Sequence, residues 1–507
     1  MTDAPPAPAP APAPAPESES DSAGQSASGS SDTPAGTAAA APVKTPIDKK
    51  ARRALMTIFL IVLTDLIGFG MIIPLLPFYA KSLGASVVTV GMLFGIFSLF
   101  QFIFTPIWGR LSDRIGRKPV LMISLLVSVA MYGLYGWAGS LFWLFVARGG
   151  AGIGTANIGT AQAYIADILP PDRRAVGMGV LGAGFGLGFI FGPALGGILT
   201  WMFTPSAPGY AAAALSAVAL VMTLTMLHEA EDRKPVRGGL NAWGVLKKNL
   251  AHPSIRAGWS IIALDIFSFS LMEVTLSLWL IDVMQPLPFS HSDAFRWVQT
   301  HMQGLLSGLS HGKENVDPDA ALTIGLGMAL VGFVMAFIQG GLIRRLVPKY
   351  GERKMLCFGL WSFGLGLILL PFLGFSYWLL LIPVFMQVIG QSLIQPSNLG
   401  LISRNADPGE QGAVMGIGQS ISSLMRALGP VAATGLIAAF KPTRLHDTLP
   451  FLNPANLAHP TFGNTLHITL AYGVPYLSAG VLVLLALIPL RRIEVPPLRP
   501  GQTLAVH

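Results

Sequence analysis

The sequence predicts an all-α membrane protein with twelve transmembrane helices arranged as two pseudo-symmetric six-helix bundles. Composition is the first observation behind this prediction, because 52% of the 507 residues are hydrophobic and 11% are charged. A water-soluble protein of this length needs a more charged surface. The mean hydropathy of +0.60 likewise indicates a membrane protein. Most of the chain is therefore expected to face lipid or other apolar helices. The second observation is that the apolar segments fall into two similar sets, which indicates two similar bundles.

Twelve apolar runs are long enough to cross the hydrocarbon core of a bilayer, which takes about 20 residues of helix. They lie near 54–80, 88–108, 119–138, 141–164, 175–200, 209–227, 257–284, 321–343, 354–373, 376–399, 412–436 and 467–490. A charged connection at 228–256 divides them six and six.

The basic residues predict the orientation of these helices. With the N-terminus inside, the outer loops and helix ends hold few of the 33 Lys and Arg: Lys81, Arg296, Lys313, Lys441 and Arg444. Inner loops of membrane proteins are enriched in Lys and Arg. We therefore expect a multi-pass protein of the plasma (inner) membrane with both termini cytoplasmic. The basic residues form no continuous patch, so nucleic acid is not an expected partner.

The two sets of helices resemble each other in sequence. "ILPPDRRAVGMGVLGAGFGLGFIFGP" and "NADPGEQGAVMGIGQSISSLMRALGP" align with a shift of 237 residues, which places Gly192 and Pro193 on Gly429 and Pro430. A second pair, "IGRKPVL" and "YGERKML", aligns with a shift of 235. Two repeating six-helix halves are typical of a transporter whose site lies between the halves.

These boundaries give the predicted domains. They are a Pro/Ala-rich cytoplasmic tail at 1–50, a first bundle at 51–228, a cytoplasmic linker at 229–256, a second bundle at 257–492 and a C-terminal tail at 493–507. The composition of the first tail predicts disorder. The second bundle contains an outer loop at 282–321, in which apolar residues at helical spacing predict a short amphipathic helix over 290–309. The alternative is a flexible insertion.

The first apolar run, "FLIVLTDLIGFGMIIPLLPFYA", contains an acid, Asp65, twelve residues after Arg53. At 1.5 Å per residue it lies roughly 18 Å into a core about 30 Å thick. An acid there costs on the order of 3 kcal/mol and is usually paired or functional.

Two effects compete over the charge of Asp65. Burial favours the neutral acid, whereas a nearby arginine, such as Arg148 or Arg426, favours the carboxylate. An acid that meets an arginine in one conformation only would bind a proton on one side of the membrane and release it on the other. The alternative is a static Asp65–arginine pair that only supports the fold.

Other polar groups in the apolar runs are candidates for the same site. Arg148, in "ARGGAGIGTANIG", must face the interior and a partner, either for coupling or as a fixed strut. Asp265 and Glu273 could bind a second proton or attract a cationic compound, although Glu273 could instead reach water. A substrate pocket between the halves should be apolar with a few polar groups. Its candidates, each of which could equally form an interhelical hydrogen bond, are Gln101, Gln162, Gln391, Gln395, Asn398 and Gln419.

The loop between runs two and three, "GRLSDRIGRKPVL", carries its own chemistry. Gly109 permits close approach, and Asp113 can accept hydrogen bonds from backbone amides at the start of a neighbouring helix. Basic residues such as Arg117 and Lys118 hold the loop to an anionic membrane surface. This stretch resembles the loop signature of the major facilitator superfamily, carried here by Gly109, Asp113, Gly116, Arg117 and Lys118.

The resemblance implies that Asp113 helps to lock the halves together in the outward-facing state. The second-half copy, "QGGLIRRLVPKYGERK", lacks this acid. The Arg148 stretch resembles a second signature of the superfamily.

Run five, "GAGFGLGFIFGPALGG", has glycines at every fourth position, which form a small-residue ridge for helix packing. Its residues Gly188, Gly192, Pro193, Gly196 and Gly197 resemble the signature of the antiporter branch of the superfamily, which implies export. "TDLIGFGMIIPLLP" is similar to the first helix of twelve-helix drug:proton antiporters, especially tetracycline exporters. Runs 119–138 and 354–373 lack the further acids of those exporters.

Together these features predict a secondary active exporter of small amphipathic compounds driven by inward proton flow. The alternatives are a proton-coupled carrier of an endogenous metabolite, such as a sugar or organic acid, and a membrane scaffold or sensor. An enzyme is not expected, because the chain has no HExxH pattern, P-loop or serine nucleophile elbow. The lone Cys357 offers no cysteine metal site, and no cofactor is expected. The expected partners are a small-molecule substrate, protons and lipid, with the protein acting as a monomer.

Overall fold

The computed structural model describes residues 49–169, 174–229, 242–283, 318–373, 377–407, 410–440 and 460–495, and their regular structure is helical. The first tail up to residue 48, the amphipathic helix expected over 290–309 and residues 496–507 lie outside the described residues. Ten of the described helices are long and apolar enough to cross a membrane. The prediction of an all-α membrane protein is confirmed.

The first half of the chain forms eight described helices. They are α1 (Lys49–Ile72), α2 (Leu76–Ser82), α3 (Val87–Ile115), α4 (Arg117–Trp137), α5 (Leu141–Gly154), α6 (Ile158–Ile168), α7 (Arg174–Met202) and α8 (Ala207–Met226). A 3₁₀ turn, Ile73–Leu75, joins α1 to α2. Pro74 and Pro77 lie at this junction, because proline has no N–H to continue the helical hydrogen bonding.

The second half follows a short helix that lies inside the predicted linker. That helix is α9 (Ala242–Ala251), and after it come α10 (Pro253–Val283), α11 (Pro318–Phe337), α12 (Ile343–Tyr350), α13 (Glu352–Leu373), α14 (Tyr377–Asn405), α15 (Gln411–Ala439), α16 (Pro460–Leu485) and α17 (Leu487–Leu490). A π-helical turn, Ile338–Leu342, separates α11 from α12.

Several predicted runs, among them the following two, are not single straight helices. The run at 141–164 is divided by the 3₁₀ turn Thr155–Asn157 into α5 and α6. The run at 321–343 ends in the π-helical turn, and its apolar helical part is Ile324–Phe337. Glycine lies close to both interruptions, as in "GIGTANIG" and "IQGG", and glycine weakens a continuous helix.

Helix α9 is held to the second half by an ion cluster. Lys248 Nζ lies 2.8 Å from Asp407 Oδ2 and 2.8 Å from Glu410 Oε1. The Asn249 amide also donates to Glu410 at 3.1 Å. The hydrogen bonds that Lys248 donates to Asp407 and to Glu410 raise the pKa of Lys248 above its usual range. The bonds that Lys248 and Asn249 donate to Glu410 lower the pKa of Glu410. Both shifts favour the ion pair at neutral pH.

The two halves contact each other near one end of the molecule. We call the end where α1 begins the inner end and the opposite one the outer end. In the outer part, a Cβ atom at Gly95 of α3 would lie 2.9 Å from the Ala427 carbonyl oxygen of α15, and one at Gly197 of α7 would lie 2.9 Å from Gly325 Cα of α11. Toward the inner end, by contrast, Cβ atoms at Gly109 and Gly412 would meet open space.

Candidate functional site

A cavity of about 110 Å³ lies where the two halves meet. Its walls come from the α1–α2 junction, α7, α10, α11, α13 and α14. Large apolar side chains dominate the lining, among them Phe189, Phe269, Met272, Met328, Met335 and Phe363. Glu273, Gln387 and Gln391 supply polar groups. The cavity therefore suits an apolar molecule that also carries a few polar atoms.

Asp65 is 5% exposed and lies inside the first half. It sits on α1, which packs closely on α8, since a Cβ atom at Gly68 would lie 3.2 Å from Ala212 Cβ. One carboxylate oxygen, Oδ1, has no hydrogen-bond partner in the described part of the chain. The nearby titratable group is Tyr132, on which the charge of Asp65 acts.

No ion pair joins Asp65 to Arg148 or Arg426, both of which the structure describes. The fixed Asp65–arginine strut is therefore not present in this conformation. The reason is the position of Arg148, which packs on an aromatic ring instead of turning toward α1.

Arg148 is 1% exposed, and its guanidinium carbon lies 4.5 Å from the centroid of the Phe97 ring. A cation over an aromatic face is attracted by the ring quadrupole. The glycine at 152 allows this approach, because a Cβ atom there would collide with the Phe97 carbonyl. The Arg148 Nε and Nη1 groups have no hydrogen-bond partner among the described residues. They are donors available to an anion or to a rearranged acid.

Glu273, rather than Asp65, is the acid that faces arginines. The charges of both Arg426 and Arg148 act on it, one from each half of the chain. The Ser270 hydroxyl donates to the Arg426 carbonyl at 3.3 Å, which places α15 beside α10 one turn from Glu273. Glu273 lines the cavity, so it faces the site between the halves.

Asp265 is 3% exposed and lies next to the cavity wall. Its Oδ2 accepts a long hydrogen bond of 3.5 Å from Gln391 Nε2, while its Oδ1 has no partner among the described residues. Because Gln391 lines the cavity, it connects Asp265 to the space that a substrate would occupy.

The other predicted substrate-binding residues divide into two groups. The Asn398 amide donates to the Gly258 carbonyl at 3.0 Å, which is the interhelical hydrogen bond that was the alternative to a substrate contact. Outside the cavity lining lie Gln101, which is half-buried, and Gln162, Gln395 and Gln419, which are exposed.

Gln387 is a cavity residue that sequence analysis missed. It precedes Gln391 by one helical turn, so spacing along α14 was the signal that could have found it. Its amide donates to the Gly366 carbonyl at 3.2 Å.

The signature loop has a different arrangement from the predicted one. Arg117 contacts Asp113 at 2.6 Å and Asp167 at 3.0 Å. The acid that accepts from backbone amides is Glu229, which binds the N–H groups of Arg117 and Lys118 at 2.9 and 3.1 Å. Glu229 follows α8 and so reaches the start of α4. The role expected for Asp113 in the outward-facing state stays a prediction. Gly116 adopts φ 122°, which glycine tolerates.

The antiporter signature forms a packing face. Cβ atoms at Gly188, Gly192 and Gly196 of α7 would collide with Leu66, Gly70 and Met71 of α1. Gly197 faces α11, and Pro193 lines the cavity. The glycine ridge therefore brings α7 against α1 on one side and against the other half on the other side.

The second-half loop contains an ion pair that corresponds to the first-half pair Arg117–Asp167. Glu352, which is 2% exposed, accepts from Arg404 Nη1 at 3.1 Å. Glu352 follows Arg117 by 235 residues, and Arg404 follows Asp167 by 237, the two shifts of the repeat. In the second half the acid lies at the position of the first-half base, and the base lies at the position of the first-half acid. The degenerate copy therefore keeps the ion pair with its charges reversed.

Apolar membrane-crossing helices in two halves around a shared cavity define a polytopic membrane transporter. The chain matches the sequence profile of the Major Facilitator Superfamily over residues 58–430 and again over 319–504. It belongs to this superfamily.

Relatives with known names agree with this assignment. The chain is 30% identical over 394 residues to the class E tetracycline resistance protein of Escherichia coli, which covers 77% of this chain and 89% of that protein. It is 26% identical over 487 residues to major facilitator superfamily domain-containing protein 10 of Mus musculus, covering 84% and 97%. The crystal structure of the human organic anion transporter MFSD10 (TETRAN) has the same fold, with a TM-score of 0.58, 23% identity and coverage of 87% and 100%.

Proposed function

We propose that this protein is a proton-coupled secondary active transporter that exports small amphipathic compounds by alternating access. The observation that carries this proposal is Asp65, a buried acid with no ion pair among the described residues. An isolated charged carboxylate is costly to bury, so the acid is expected to hold its proton in this conformation. Release of that proton then requires a change in its surroundings, which is what coupling to a conformational cycle needs.

The cavity supports the choice of substrate. Its lining is aromatic and methionine-rich, and thioether side chains adapt to ligands of different shapes. The similarity to tetracycline resistance proteins adds support for export of a toxic compound. In the proposed cycle, the halves rock about the cavity, and the outer contact through Gly95 and Gly197 opens when the inner end closes.

The test is accumulation of ethidium and of tetracycline in a bacterial host stripped of its own pumps. Cells that express the wild-type chain should accumulate less of at least one compound, and collapse of the proton gradient should remove the difference. Asp65→Asn should abolish the difference, because a neutral amide cannot carry the proton.

Asp65→Glu is the matched control, since it keeps an acid at this position and should retain part of the activity. Export by Asp65→Asn at the wild-type rate would contradict proton coupling through this residue. Unchanged accumulation of both compounds in wild-type cells with normal protein levels would contradict the drug-export proposal.

A second candidate is a proton-coupled carrier of an organic acid. The observation that favours it is a buried arginine, Arg148, and a half-buried one, Arg426, with guanidinium N–H groups that lack a partner among the described residues. Such groups bind carboxylates well. The organic anion transported by the human MFSD10 protein, by its name, is of this chemical class. Uptake or export of a radiolabelled organic acid by proteoliposomes would distinguish this carrier from a drug exporter.

A further inference from the structure

The first helix of each half carries the same sequence pattern. "IVLTDLIGFG" (61–70) aligns without gaps on "IIALDIFSFS" (261–270), at a shift of 200 residues. The alignment places Asp65 on Asp265 and Phe69 on Phe269. Both glycines of the first segment become serines in the second, so small residues recur at the same positions.

Packing in the structure gives the same correspondence independently. Gly192 of α7 closes on Gly70, with a hypothetical Cβ atom 3.0 Å from the Ile67 carbonyl oxygen. Its counterpart Gly429 of α15 closes on Ser270, with a Cβ atom 3.0 Å from the Phe267 carbonyl oxygen. The contact of this glycine with residues 67 and 70 of α1 is therefore repeated with residues 267 and 270 of α10, 200 residues later. Asp65 and Asp265 occupy equivalent places in the two halves.

The two acids also share their physical state. Asp65 is 5% exposed and Asp265 is 3% exposed, and in each the Oδ1 atom has no hydrogen-bond partner among the described residues. Burial of this kind is costly for a carboxylate and much less costly for a neutral acid. Two unpaired acids at symmetric positions are not explained by packing alone.

The helices packed on each acid bring few charged groups. Against α1, helix α8 carries Tyr210 and no charged residue, α7 carries Arg174 at its start, and α6 carries Tyr164 and Asp167. Tyr132 of α4 is a further titratable neighbour of Asp65. Against α10, α15 brings Arg426, which acts on Glu273, and α14 brings Arg404, which pairs with Glu352. Helix α9 carries Lys247 and Lys248, α11 carries Asp319, and α2 carries Tyr79 and Lys81. Helix α16 carries His467, Tyr472 and Tyr476. Gln391 is the group that contacts Asp265.

We propose that Asp65 and Asp265 are a symmetry-related pair of proton-binding sites, one in each half, and that each transport cycle moves two protons. The existence of the pair rests on the repeat and on burial. The number of protons per cycle rests in addition on the proposed transport function.

Asp265 has a direct route to the substrate that Asp65 lacks. In the present arrangement Gln391 donates to Asp265 Oδ2, and the amide oxygen of Gln391 has no partner among the described residues. A protonated Asp265 can donate its O–H to that amide oxygen, which requires the Gln391 amide to rotate. Protonation of Asp265 is thus expected to reorient the amide of a residue that lines the cavity.

The pair itself is tested by infrared difference spectroscopy of the purified full-length protein in lipid, titrated from neutral to alkaline pH. The C=O stretch of a protonated carboxylic acid disappears as the acid ionises. Asp65→Asn and Asp265→Asn should each remove one component of this signal, and the double variant should lack both components. Glu494→Gln, an exposed acid outside the spans, is the control and should leave the signal unchanged.

An unchanged spectrum in Asp265→Asn would overturn the pair, whatever the protein transports. The two-proton cycle is tested in proteoliposomes with ethidium or tetracycline, by finding the proton gradient that balances a given substrate gradient. For the wild type, the balancing gradients should correspond to two protons per substrate molecule. For Asp265→Asn they should correspond to one proton per substrate molecule. A wild-type ratio of one would overturn the two-proton cycle. If neither compound moves, the proposed export fails while the infrared result still decides the pair.

Discussion

At the scale of single residues, the buried charges divide into two kinds. Arg148 is stabilised by an aromatic face, and Glu273 by arginines from both halves. Asp65 and Asp265 form no ion pair among the described residues. A buried ion without a partner is far more costly than one with a partner, which is why contacts rather than depth separate the two kinds.

The contact between Arg148 and Phe97 gives a prediction at this scale. Arg148→Lys should lower the transport rate about 2- to 30-fold, because an ammonium group lacks the planar guanidinium that lies on the ring and a cation–π contact contributes about 0.5–2 kcal/mol. Transport of a dye by proteoliposomes measures the effect. Phe97→Leu should also lower the transport rate. Phe97→Tyr keeps the aromatic face and should leave the transport rate nearly unchanged. Equal loss in the leucine and tyrosine variants would argue against this role of the ring.

At the scale of helices, the repeat preserves geometry more faithfully than it preserves residue types. Ser270 lies at the position of Gly70 in the second half, yet a glycine of the facing helix contacts each of the two residues. Arg117–Asp167 becomes Glu352–Arg404, so the polarity reverses while the helix ends remain tied. The requirement is a small residue or an ion pair at a given place, and several residue types satisfy it.

The reversed ion pair can be tested by exchanging its charges. Glu352→Arg and Arg404→Glu should each lower the free energy of unfolding by about 3–5 kcal/mol, because each places like charges together at a buried site. The double exchange should recover most of the loss, since it recreates the polarity found in the first half. Unfolding of the purified protein in mixed micelles measures all three.

Lys354→Glu reverses an exposed charge on the same turn and serves as the control, with little expected effect. If the double exchange is as unstable as the sum of the single ones, the two residues do not act as a pair.

At the scale of the whole molecule, the conformation depends on close backbone contact between the halves. A Cβ atom at Gly325 of α11 would lie 2.6 Å from the Pro193 carbonyl oxygen and 2.7 Å from Gly197 Cα. Contacts this short exist only where side chains are absent. The outer contact is therefore held by glycine, and a larger residue should weaken it.

Gly325→Val should move the protein toward the conformation that is open at the outer end. Overpacking of a close contact costs about 1–3 kcal/mol, which is about a 5- to 150-fold change in a two-state ratio. Spin labels at positions 85 and 440, near the outer ends of α3 and α15, in a Cys357→Ser background would measure the separation.

Gly327→Val is the matched control, because a Cβ atom at position 327 meets open space on the same helix. A longer outer distance in both variants would show that the effect comes from the helix itself and not from the contact.

The sequence by itself determined the membrane class, the helical segments, the superfamily and the presence of acids and arginines in the spans. These depend on consecutive residues: apolar length, turn-forming glycines and prolines, and short motifs. Only the tertiary structure decided that Glu273 rather than Asp65 faces the arginines, that Gln387 and Gln391 reach the cavity, and that Glu229 rather than Asp113 accepts the amides of α4. Those facts depend on how helices that are far apart in the chain rotate and pack against one another. No short stretch of the sequence encodes that rotation.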